Sequence, residues 1–187
     1  EKTTGITVIK MAKEMDAGPI ILQKDIEISN DDTAITLEDK ISNLAAQLVL
    51  ATLSSIEDNN YNLMPQDEDK VNFAPKLKKE DGRIDWNKPA QDIYNLIRGC
   101  INWPGAFTYY NGKLLKIYRA KVSPLEVLQT PMSPGEIVKA SKEGITVVTG
   151  KDNLIIEELQ IEGKRRMRVE EFIAGHKVDI NQIFDKK

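Results

Sequence analysis

FTYYNGKLLKIY, residues 107–118, carries two strand-like runs on either side of Asn111-Gly112. A two-residue type I′ turn needs positive φ at both central positions, and Asn-Gly supplies it at least cost. The stretch therefore predicts an antiparallel hairpin. Outward from it lie three more short β-rich runs, at 136–140, 144–148 and 154–159, punctuated by Pro134-Gly135, Gly144 and Gly150. Ahead of it, Asn87-Lys88-Pro89 opens a helix, with Pro tolerated in the first turn, and Ala90, Ile93, Ile97 and Cys100 or Ile101 form its apolar face. A short helix near 169–174 stops at Gly175. Short strands with few helices predict a small β-barrel or sandwich over 75–187.

The amino-terminal part has a different period. Residues 5–10 read as one strand, and Pro19-Ile20-Ile21-Leu22 running into 25–28 as another. Leu37, Ile41, Leu44 and Leu48, flanked by Ala45, Val49, Thr52 and Ile56, recur at helical spacing. Thr36 with Asp39 predicts the cap, and Glu57-Asp58-Asn59-Asn60 the end. Two strands and a helix bury too little for a domain. The expected organisation is 1–58 as the end of an α/β domain, 59–74 as a linker, and 75–187 as a second domain.

At 41% hydrophobic and 29% charged, the 187 residues have a globular balance. Apolar runs are too short to span a bilayer, and a basic, apolar leader is not visible. One Cys and one His cannot make a zinc site of the usual ligand count, so no metal is expected. The lone Cys100 excludes an internal disulfide and suits a reducing, cytoplasmic setting. The net charge of −3 is uneven: residues 1–75 hold 6 Lys+Arg against 14 Asp+Glu, and residues 76–187 hold 20 against 15. Such a split is compatible with two units meeting different partners and with ordinary surface variation.

Asp16 stands on an Ala-Gly-Pro turn beside a strand end. A lone Asp there is usually a turn former, but strand ends in α/β folds also line ligand crevices. The run Gly163-Lys164-Arg165-Arg166-Met167-Arg168, with Lys76, Lys78, Lys79 and Arg83, suits phosphate contacts or a solvated face. Trp86, Trp103, Phe107, Tyr109, Tyr110 and Tyr118 suit base stacking, but core packing is favoured. Cys100 reads as packing and His176 as a surface residue near a helix end. Asp31-Asp32, Glu157-Glu158 and Asp67-Glu68-Asp69 read as solvated turns and faces. Neither a phosphate-cradling Gly-rich loop nor a local Ser/His/Asp arrangement is visible.

In order along the chain stand Thr4-Gly5-Ile6-Thr7-Val8, Met15-Asp16-Ala17-Gly18-Pro19-Ile20, Ala74-Pro75-Lys76-Leu77, Gly82-Arg83-Ile84-Asp85-Trp86, Asn102-Trp103-Pro104-Gly105-Ala106-Phe107 and Gly163-Lys164-Arg165-Arg166-Met167. Through them, and Arg98, Leu115-Lys116-Ile117, Pro134-Gly135 and Leu159-Gln160, the sequence resembles the methionyl-tRNA formyltransferases over nearly its whole length. The Asp-Ala-Gly-Pro segment is shared with other formyltetrahydrofolate-using enzymes, sugar-nucleotide formyltransferases included.

The resemblance implies a Rossmann-like catalytic domain, a linker and an OB-like barrel. It implies transfer of a formyl group from 10-formyltetrahydrofolate to the α-amine of initiator methionyl-tRNA. The family's catalytic Asp falls on Asp16. Lys13, Glu14 and Met15 would border the pterin with backbone groups. The family's Asn and His would precede Glu1, so these 187 residues alone are expected to be inactive, and the exposed remainder to self-associate, although the parent is expected to be a monomeric enzyme. Lys164, Arg165, Arg166 and Arg168, then Lys76, Lys78 and Arg83, are the expected tRNA contacts. The alternatives are a sugar-nucleotide formyltransferase and a non-catalytic RNA-binding module.

Overall fold

In the computed structural model, residues 1–124 and 132–184 are described. The chain packs as two units, Glu1–Lys76 and Leu77–Lys187.

The first unit holds β1 (Thr3–Ile9), β2 (Ile20–Glu27) and α1 (Ala34–Glu57). β1 and β2 pair antiparallel from Thr3↔Glu27 to Val8↔Leu22, with a register shift between Val8 and Ile9. The α1 cap is Thr33 rather than Thr36. Thr33 and Thr36 bond each other's backbone reciprocally, which saturates donors at the helix start and moves it three residues ahead of the first periodic leucine. Asp32, expected to be solvated, is buried, because Lys40 Nζ (2.7 Å) and the Ser29 amide (2.7 Å) draw its carboxylate inward. Along α1 only Leu48 and Thr52 are buried, while Leu50 remains 67% exposed and Leu53 53%. A two-stranded ribbon is too narrow to cover a 24-residue helix.

The second unit holds α2 (Ala90–Gly99), β3 (Ala106–Tyr110), β4 (Lys113–Ser123), β5 (Ile137–Ser141), β6 (Gly144–Val148), β7 (Asn153–Ile161), β8 (Met167–Arg168) and α3 (Val169–Gly175). Asn111 and Gly112 join β3 to β4 with φ of 51° and 74°, both positive as the hairpin requires. The ladders are antiparallel and run β3-β4-β7-β6-β5, with β8 on β7. Beneath them lies one apolar core that includes Ile93, Ile97, Leu115, Ile117, Leu154, Ile156, Leu159 and Phe172.

The expected closed barrel is not formed by strand pairing: among the described residues no ladder joins β3 to β5, so the sheet is open. Irregular chain instead bonds each edge strand, at Phe107 of β3 and at Ile137 of β5. The Ile84 amide donates to Phe107 O beside β3, and Ile137 N donates to Gln182 O beside β5. These two covering segments meet where Trp86 stacks on Phe184, ring centroids 5.4 Å apart. Trp86 Nε1 donates to the buried Thr108 hydroxyl at 3.1 Å. Edges blunted in this way need no further strand. No helix among the described residues is long and apolar enough to cross a membrane.

Candidate functional site

Between β1 and β2 the chain makes a loop whose base is tightly closed. Lys10 N donates to Pro19 O at 2.9 Å. A Cβ on Gly18 would lie 1.8 Å from Lys10 O, so only glycine fits there. Beyond this base, residues 11–17 are all exposed. Asp16 adopts φ +58°, the left-handed region that Asp tolerates better than most side chains.

The segment after α1 returns to this loop. Met64 and Ile20 exchange backbone hydrogen bonds of 2.7 and 2.9 Å. Gln66 Nε2 then donates to both Asp16 O and Gly18 O at 2.7 Å. Loop and returning segment together bound a crevice of about 850 Å3, lined by Met15, Asp16, Ala17 and Pro19 on one side and by Gln66, Lys70 and Phe73 among others on the opposite one. Met15 and Phe73 are each 91% exposed. Of the residues expected here, Met15 and Asp16 reach the crevice lining, whereas Lys13 and Glu14 are exposed on the same loop outside it. The arrangement puts two carboxylates, Asp16 and Glu68, each able to accept a proton or hydrogen bond, in the lining of a crevice with an apolar wall. Gln66 was invisible in the sequence, since a side-chain contact across 50 positions leaves no local pattern.

The expected cationic residues are all exposed, but they differ in their partners. Arg165 is bound by Glu171. Arg166 is held at 2.6 Å by Glu158 and lies 4.4 Å over the Tyr118 ring. The hydrogen bond from Arg166 holds the Glu158 carboxyl below its usual range, and the same bond raises the Arg166 guanidinium. Lys164 and Arg168 have no ion pair among the described residues. Arg83 lies 5.9 Å over the Tyr109 ring. The Lys78 amide donates to Asp81 Oδ2 at 2.6 Å, and Lys78 is exposed. Lys76 ends the first unit, whereas the other expected cations belong to the second. On β4, Arg119 and Lys121 add two cations that share Glu157, at 2.8 and 3.1 Å. The register shifts flanking Arg119 turn it outward, and no residue pattern announces such a bulge.

Among the aromatics, Trp86, Phe107 and Tyr110 are buried and Trp103 is 58% exposed. His176 stacks on Phe172 with its Nδ1 3.1 Å from Phe172 O. Cys100 is buried, and burial pushes its thiol pKa up. Among the described residues no group of three or more His, Cys, Asp or Glu side chains could hold a metal ion.

The chain is similar to known proteins. The chain is 42% identical over 183 residues to a methionyl-tRNA formyltransferase of Acetivibrio thermocellus, an alignment covering 98% of this chain and 58% of that one. It thus spans under two thirds of the length of the curated relatives it matches. Two solved structures share the fold. HypX from Aquifex aeolicus in complex with tetrahydrofolic acid has a TM-score of 0.68 at 18% identity, covering 97% of this chain and 34% of its own. An N-formyltransferase from Helicobacter canadensis, in complex with folinic acid and dTDP-3-aminofucose, has a TM-score of 0.63 at 18% identity, covering 83% and 56%. The family model for formyl transferase matches residues 1–53, and that for the formyl transferase C-terminal domain matches 76–177. More than half of the chain lies in the second match alone, and the chain belongs to the formyl transferase family.

Proposed function

We propose that the chain serves formyl transfer from 10-formyltetrahydrofolate to the amino group of initiator methionyl-tRNA, in the cytoplasm and as part of a monomeric enzyme. In this reading the first unit belongs to a Rossmann-like catalytic domain and the second is an OB-like domain that grips tRNA. The observation that carries it is the exposed Asp16, set on a left-handed backbone in the lining of the crevice, in a chain whose relatives are named methionyl-tRNA formyltransferases.

The crevice suits the formyl donor in size, since ligand sites commonly run to about 300–1,000 Å3. Pro19, Val71 and Phe73 offer it an apolar wall and Asn72 a polar group, with Lys13 and Glu14 on the same loop outside the lining. When bound, the donor supplies the activated formyl group. Asp16 takes up or orients, directly or through water, the proton that the acceptor amine gives up.

Lys164 and Arg168, then Lys78, Arg83 and Lys76, serve phosphates in this reading. Arg165 and Arg166 do so only by leaving Glu171 and Glu158. Titration of the chain with initiator tRNA at graded salt tests this. Affinity should fall steeply with salt, and Lys164→Ala with Arg168→Ala should lower both affinity and slope by about two counterions' worth. Glu158→Gln should raise affinity severalfold by releasing Arg166. A flat salt response, with no effect of these changes, would reject tRNA as the partner and favour the sugar-nucleotide reading.

A further inference from the structure

We infer that Gln66 is a positioning residue: its side-chain amide clamps the loop that carries Asp16 and fixes the direction of that carboxylate. The reading of formyl transfer enters only in naming what Asp16 is positioned for.

The loop has a firm base and an unsupported tip. Gly18 against Lys10 O, and Lys10 N on Pro19 O, pin the base. Residues 11–17 are all exposed. Among the described residues, the only side-chain hydrogen bonds that reach residues 11–18 come from Gln66. Both amide hydrogens are spent, one on Asp16 O and one on Gly18 O, each at 2.7 Å. The two carbonyls flank Ala17, so one planar amide fixes the backbone on either side of it. That backbone includes the positive φ of Asp16, which an aspartate left to itself would abandon for commoner regions.

Gln66 is itself held in place from outside the loop. The paired Met64 and Ile20 backbones set the returning segment antiparallel to β2 two residues earlier. The clamp therefore does not depend on the loop it restrains. A Gln is apt here because a carboxamide offers two donors to two carbonyls, whereas a carboxylate of the same shape would face them with like partial charge.

The test uses the chain carrying Gln66→Met, which keeps length and bulk but no donor, and Gln66→Glu, which keeps shape and loses both donors. Two readouts are taken by NMR. The amide–Hα coupling of Asp16 reports its φ, and amide exchange reports opening of residues 15–18. Both variants should lose the left-handed coupling at Asp16, and the loop amides should exchange about tenfold faster. Amides of the β1–β2 ladder and α1 should stay as protected as before. Retention of the Asp16 coupling and of loop protection in both variants would overturn the proposal. So would loosening that spreads equally to β1, β2 and α1, which would make Gln66 a structural prop only. Neither readout involves formyl donor or tRNA, so the clamp and the proposed chemistry can fail separately.

Discussion

At the scale of single residues, Asp32 shows how a carboxylate becomes structural. Its pKa is lowered from 3.8 to about 2, first by the hydrogen bond from Lys40, then by the Ser29 amide, with burial opposing. Thr36 adds a third bond at 3.1 Å. A depressed pKa means that the unfolded chain binds the proton more readily than the folded one. The stabilisation is thus complete above the unfolded value of 3.8, declines as pH falls between the two, and is gone below about 2. Asp32→Asn should lower the melting temperature of α1 at neutral pH, by circular dichroism, and the gap from wild type should close on acidification through that window. A gap independent of pH would mean that shape, not charge, holds the α1 start. The sequence showed Asp31-Asp32 as one solvated pair, because which of two adjacent acids turns inward depends on Lys40, eight positions away.

At the scale of elements, the second unit was legible where a pattern is local. Residues 144–148 form β6 as expected, and Asn111-Gly112 makes the predicted turn. β4 runs on to Ser123 past its bulge, which the period-2 pattern could not follow. The segments that cover β3 and β5 were illegible, since irregular chain has no period to recognise. They are nonetheless where the open sheet is completed. Phe184 is 3% exposed and contacts both Trp86 and Tyr110 rings, at 5.4 and 5.7 Å. Phe184→Ala should cost about 3–5 kcal/mol in chemical denaturation, the range for deleting a buried Phe. It should also raise amide exchange at Ile137, whose amide bonds the covering segment at Gln182 O. A loss under about 1 kcal/mol would show that the cover closes without its aromatic anchor.

At the scale of the whole molecule, the two units differ in how they are stabilised. The second has a connected core from Ile84 through Leu159 to Phe172, with irregular chain bonded to both edge strands. The first buries one leucine and a threonine of α1 and leaves Val49, Leu50, Leu53 and Ile56 at the surface. Burial of apolar area is the main favourable term in folding, so the units should not melt together. Residues 77–187 expressed alone should unfold cooperatively at the upper of two transitions seen by calorimetry of the whole chain. In native-state exchange, amides of β6 and β7 should require that full opening, while those of α1 open at lower free energy. The acidic first unit and the cation-rich second differ in charge in the sequence, and a stable second unit gives that division a consequence: it should carry by itself the salt-dependent tRNA affinity proposed for the chain. If the isolated unit is unfolded, or if α1 proves as protected as β7, then stability is shared along the chain, and the basic surface depends on the first unit for its shape.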